Sequence, residues 1–89
     1  MEITEISVSV REEDKLKAFV NVTFDDEFVI RGMKVIKGVD KFFVSMPSRK
    51  MPNGTFRDIA HPITSEFREK LEQMILQEYF RISGIEPEF

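Results

Sequence analysis

Apolar and polar residues alternate with a two-residue period through the first 36 positions, the pattern of β-strands with one buried face. The pattern predicts strands over Ile3 to Val10, Leu16 to Phe24 and Phe28 to Ile36, with a bulge at Gly32 in the third. The links between predicted strands are three to five residues long, too short for helical crossovers. We therefore expect an antiparallel meander of four to five strands.

The segment from Phe42 to Pro62 is predicted to project from this sheet. Two apolar-patterned arms, Phe42 to Met46 and Thr55 to Ala60, flank a reversal at Pro52-Asn53-Gly54, where proline fixes φ and Asn-Gly accepts positive φ. Pro47 and Pro52 cannot donate ladder hydrogen bonds, so the residues between them are expected to form an irregular or edge segment.

After Pro62 the apolar period changes to that of an amphipathic helix. Thr64 or Ser65 is a natural N-cap, and the helix is expected to end near Ile82, with Gly84 as a left-handed stop and Pro87 beyond it. The chain is thus predicted to be a single α+β domain over residues 1–89, with one long C-terminal helix packed on the sheet.

The apolar positions of this helix fall into two groups. Leu76 and Phe80 lie well away from the main stripe, so they favour a second buried surface, most economically in a homodimer or a higher homo-oligomer. The alternative is that both are simply exposed or touched by the tail at Ile85 and Phe89. The main stripe consists of Phe67, Leu71, Met74, Ile75, Tyr79 and Ile82.

Charge is unevenly distributed along the sequence. The whole chain carries a net charge of −3, but residues 31–57 contain seven basic residues and one acid. A fold that gathers these basic side chains on one face would create a local positive potential. We take Arg49, Lys50 and Arg57 of the projecting segment, with Lys41 and Lys34, as candidate nucleic-acid-binding residues. The alternative is that these cations only keep a hairpin soluble.

The sequence lacks the usual marks of an enzyme. It has no cysteine, a single histidine and no nucleophile elbow, phosphate loop or metal-ligand spacing, so we expect no catalysis, cofactor, metal or small-molecule substrate. Asp58 and His61 are expected to stabilise the corner before the helix. Without an export signal or a membrane-length apolar run, the chain is expected to be cytoplasmic and not membrane-bound.

One stretch carries a specific resemblance. The residues Phe43-Val44-Ser45-Met46-Pro47-Ser48-Arg49-Lys50, then Pro52-Asn53-Gly54, then Phe56-Arg57-Asp58-Ile59-Ala60-His61-Pro62-Ile63, are similar to the signature of the stage V sporulation protein G (SpoVG) family. The similarity covers about residues 1–82 and leaves the tail from residue 83 unassigned.

The resemblance implies a small bacterial cytoplasmic protein that binds DNA, and in some members RNA, forms dimers and is linked to sporulation, septation and gene expression. The basic pair of the family corresponds here to Arg49 and Lys50, with Arg57 on the following strand. The alternative function is a non-enzymatic protein-interaction module of the cell-division machinery, in which the basic segment contacts an acidic protein. Target sequence and the choice between DNA and RNA stay open.

Overall fold

A computed structural model describes residues 1–84 of the chain, and the predicted stop at Pro87 and the tail contacts of Ile85 and Phe89 lie outside this range. Four antiparallel strands form a sheet in sequence order, β1-β2-β3-β4. A separate two-stranded sheet is made by β5 and β6, and one helix, α1, follows. The elements are β1 (Ile3–Val10), β2 (Leu16–Phe24), β3 (Phe28–Lys37), β4 (Phe42–Ser45), β5 (Ser48–Lys50), β6 (Phe56–Asp58) and α1 (Ser65–Ser83). The α+β class and the meander are confirmed.

The period-two pattern of β2 decides which face of the sheet is buried. Ala18, Val20 and Val22 are fully buried, and Phe24 is nearly so, because α1 covers this side of the sheet. Met33 and Val35 of β3 and Val44 of β4 extend the same core. The buried residues of β2, β3 and β4 therefore share the face that α1 covers, as in a sheet covered on one side.

Gly32 marks the predicted bulge in β3. The register between β2 and β3 shifts between Val20 and Val22, opposite Gly32, whose φ is +87°. Residues with a Cβ rarely adopt this conformation, whereas glycine does so at little cost. A Cβ at Gly32 would lie 3.8 Å from the Pro47 Cβ, so the bulge sits against the start of the projecting segment.

The helix begins and ends as its sequence predicts. The Thr64 side chain accepts a hydrogen bond from the Phe67 N–H at 3.2 Å, and Gly84 closes the helix with φ +73°. Leu71, Ile75 and Tyr79 are buried against the sheet, and Phe67 packs near Phe24. Ile82, predicted to belong to the inward stripe, is instead 44% exposed, because it lies in the last turn of the helix, beyond its contact with the sheet.

The helix also protects an edge of the main sheet. The Glu72 carboxylate accepts a hydrogen bond from the Val44 N–H at 3.2 Å. Val44 belongs to β4, the edge strand, whose outward amide would otherwise remain unpaired.

Within residues 1–84, the helix α1 has no apolar stretch of the length that crossing a membrane requires.

Candidate nucleic-acid interface

The projecting segment folds as a hairpin that is separate from the main sheet. The predicted arms Phe42 to Met46 and Thr55 to Ala60 do not pair with each other, because Phe42–Ser45 joins the main sheet as β4 and Phe56–Asp58 pairs with Ser48–Lys50. Pro47 allows this division: it has no N–H to continue β4, and it turns the chain out of the sheet. All six residues of β5 and β6 are exposed.

A short set of hydrogen bonds holds the hairpin together at both ends. At its base, the Ile59 N–H donates to the Pro47 carbonyl at 2.7 Å. At its tip, the Met51 N–H donates to the Thr55 carbonyl at 2.7 Å, and the Asn53 side chain accepts from the Thr55 hydroxyl at 2.7 Å. The reversal at Pro52-Asn53-Gly54 is confirmed.

Register brings two of the predicted cations together. Arg49 lies directly opposite Arg57, so both side chains leave the same face of the hairpin. Lys50 lies opposite Phe56 and Ser48 opposite Asp58, on the other face. In the described part of the chain, none of these three cations has a carboxylate oxygen within 4 Å, and the ion pair found there joins Arg81 to Glu78. The hairpin therefore presents unneutralised positive charge on both faces.

The other two predicted cations lie on the main sheet. Lys34 pairs with Ser45 at the end of β4 from which the hairpin departs, on the sheet face away from the helix. Lys41 lies in the β3–β4 turn, where its carbonyl accepts from the Gly38 N–H at 2.9 Å. That turn is at the opposite end of β4. Lys34 is thus near the base of the hairpin, and Lys41 is not.

Asp58 and His61, which we expected to stabilise the corner before the helix, differ in what they contact there. Both are exposed, and among residues 1–84 the Asp58 carboxylate makes no hydrogen bond. The His61 Nδ1 atom lies 3.0 Å from the carbonyl of its own neighbour, Pro62. This local contact constrains the corner without burying either side chain.

Sequence reasoning missed one cation that the fold brings to the hairpin. Arg68, in the first turn of α1, shares a shallow concavity of about 450 Å³ with Arg57 and His61, and Phe56 and Asp58 complete its lining. The sequence signal for Arg68 is weak, because three glutamates surround it along the helix.

No cluster of three or more potential metal ligands occurs within residues 1–84.

The predicted dimer residues pack partly within their own chain. Leu76 and Phe80 are half-buried against the core, and the Phe80 ring meets Phe42 edge-on at a centroid distance of 5.2 Å. Phe42 thus provides part of the second buried surface that the positions of Leu76 and Phe80 predicted. The remaining exposed part of both side chains is available for a contact between chains.

Comparison with known proteins identifies the family. The family model SpoVG matches residues 1–81. A relative from Thermoanaerobacter sp. (strain X514), named "Putative septation protein SpoVG", is 56% identical over 80 residues, which are 89% of this chain and 87% of the relative. A relative of the same name from Alkaliphilus oremlandii (strain OhILAs) is 51% identical over 89 residues, covering 99% of this chain and 96% of the relative. The chain belongs to the SpoVG family.

Proposed function

We propose that this protein is a nucleic-acid-binding regulator, acting as a cytoplasmic homodimer, that contacts phosphates of DNA or RNA through the β5–β6 hairpin. The observation that carries the proposal is the unneutralised cross-strand pair Arg49 and Arg57, with Lys50 on the other face of the same exposed hairpin. Like charges directly opposite each other weaken a strand pair, so this pair does not stabilise the hairpin. Phosphates would relieve that repulsion.

Charge distribution supports the same proposal. The chain is acidic overall, so its long-range field repels nucleic acid. At distances below a Debye length of about 10 Å, however, the nearest charges dominate. Arg49, Lys50, Arg57 and Arg68 are concentrated at the hairpin and the start of the helix, where they can act at that range.

The biological setting is inferred from the relatives. Several bacterial relatives carry the name "Putative septation protein SpoVG", and we propose that this chain acts in septation or sporulation as well. In a dimer, two hairpins would double the positive charge available to one nucleic acid. The half-exposed Leu76 and Phe80 support such a contact between chains.

A salt titration tests the proposal directly. Binding of fluorescently labelled DNA and RNA is followed by anisotropy over a range of KCl concentrations. If three hairpin cations in each of two chains neutralise phosphates, the logarithm of the affinity falls by about 5 for each tenfold rise in salt for duplex DNA. Absence of binding at low salt to both nucleic acids would contradict the proposal.

A second function, a protein-interaction module, is favoured by a different observation. An apolar groove of about 560 Å³ runs between the sheet and the start of the helix. Met1, Ile59 and Ile63 line it and are 74%, 67% and 91% exposed. A protein partner that fills this groove would bind with little dependence on salt, whereas phosphate contacts through the hairpin weaken steeply as salt rises.

A further inference from the structure

Phe56 is the aromatic residue of the hairpin, and its environment is unusual. It is 71% exposed, although it lies in a strand. Lys50 is directly opposite Phe56 in the register, so the two side chains share one face of the hairpin. An exposed ring beside a positive charge is the arrangement on which proteins stack unpaired bases.

The concavity next to Phe56 adds a place for phosphate. Arg57 and Arg68 bring two permanent positive charges from β6 and α1, and His61 contributes a ring nitrogen. Asp58 supplies the single carboxylate in this lining, so the two arginines leave the site with a net positive charge. A single-stranded nucleic acid whose base rests on Phe56 would have cations on both sides of that base. Lys50 lies on the facing strand of the hairpin, and Arg57 and Arg68 lie in the concavity.

Building on the proposed function, we propose that this site selects single-stranded nucleic acid, with a base stacked on Phe56 and adjacent phosphates held by Lys50, Arg57 and Arg68. In a duplex the base faces are hidden inside the helix, so Phe56 gains nothing there and only the cations contribute. Single strands offer both a phosphate and a free base face. Selectivity therefore depends on Phe56, whereas affinity for both forms depends on the cations.

The first experiment compares single-stranded and duplex binding in matched variants. A labelled oligothymidylate of about 16 nucleotides is titrated alone and annealed to its complement. Phe56→Leu is expected to weaken single-strand binding about fivefold or more and to leave duplex binding unchanged. Phe28→Leu is the control, because Phe28 is 62% exposed and lies outside the lining of the concavity. Phe56→Tyr retains a ring and should restore the preference.

A second experiment detects stacking itself. The sequence contains no tryptophan, so Phe56→Trp and Phe28→Trp each introduce a single fluorescent reporter. Oligothymidylate should quench the indole emission of the Phe56→Trp protein as the base stacks, and leave the emission of the Phe28→Trp protein unaffected. Equal quenching in both proteins, or none in either, would contradict the inference.

The outcomes separate this inference from the proposed function. If the wild type binds neither single-stranded nor duplex nucleic acid, the stacking site and the proposed function are both wrong. If the wild type binds through Arg49 and Lys50 but Phe56→Leu keeps the same ratio of single-strand to duplex affinity, only the stacking site is wrong. If the Phe56→Trp emission is already blue-shifted without nucleic acid, the ring is covered in a contact between chains, and this too overturns the inference.

Discussion

Arg49 and Arg57 lie directly opposite each other in the antiparallel register of β5 and β6, and neither has a carboxylate partner within residues 1–84. An isolated two-stranded hairpin is marginally stable at best, and opposed like charges weaken it further. The hairpin is thus the part of the fold most easily ordered by an anionic ligand. Stability and binding should consequently respond in opposite directions to changes at this pair.

Reversing one charge of the pair tests whether stability and binding respond in opposite directions. Arg57→Glu places opposite charges across the strands and should stabilise the hairpin by about 0.2–1 kcal/mol. The Met51 and Ile59 amides, which close its two ends, should exchange with solvent more slowly, while affinity for nucleic acid falls. Lys15→Glu has the same change in charge but lies in the β1–β2 turn, so it should affect the affinity far less. Faster amide exchange in Arg57→Glu would contradict the assigned register.

A pair of glycine substitutions tests whether the hairpin is independent of the core. Gly32 and Gly54 have the same φ of +87°, and neither would clash through a new Cβ, so alanine costs backbone strain at both positions. Gly32→Ala should lower the free energy of unfolding by about 1–2 kcal/mol, because its bulge belongs to the main sheet. Gly54→Ala should open only the hairpin tip and leave the melting temperature almost unchanged. Equal losses would show that the hairpin unfolds together with the core.

Tyr79, the single tyrosine, reports on the helix–sheet core through its titration. Burial raises the pKa of Tyr79 by more than its hydrogen bond with Ser83 lowers it. The fold thus favours the neutral phenol, and this contribution to stability is fully present below the unfolded pKa of about 10 and is lost as pH rises through the folded pKa. Phenolate absorbance should show a higher midpoint in native protein than in urea. Identical midpoints would mean that the ring is solvated.

The proposed dimer can be tested on the helix. Leu76→Gln with Phe80→Gln should reduce the mass measured by light scattering from two chains to one. Some loss of stability is also expected, since both side chains pack on their own core, so helix content must be followed by circular dichroism. Ile82→Gln, on an exposed position of the same helix, is the control and should leave the mass unchanged. A folded double variant that keeps the mass of two chains would place the contact elsewhere.

Local sequence signals predicted the elements well. The alternation in β2, the Thr64 cap and the Gly84 stop each depend on neighbouring residues, and all three were confirmed. The separate hairpin was not foreseen, because strand pairing depends on where Pro47 turns the chain and not on the apolar pattern of the arms. Arg68 was missed for a related reason: its proximity to Arg57 arises from the corner between β6 and α1, which the sequence does not specify.

The most direct test of the central claim is the salt dependence of nucleic-acid binding after removal of both adjacent cations, Arg49→Ala with Lys50→Ala. Both side chains are exposed and unpaired within residues 1–84, so the melting temperature should hardly change. Affinity should fall strongly, and the salt slope should flatten by about 0.9 for each lost phosphate contact, or nearly 4 units for two contacts in each chain of a dimer bound to duplex DNA. A double variant that binds with the affinity and slope of the parent would contradict the claim that this hairpin contacts the phosphate backbone.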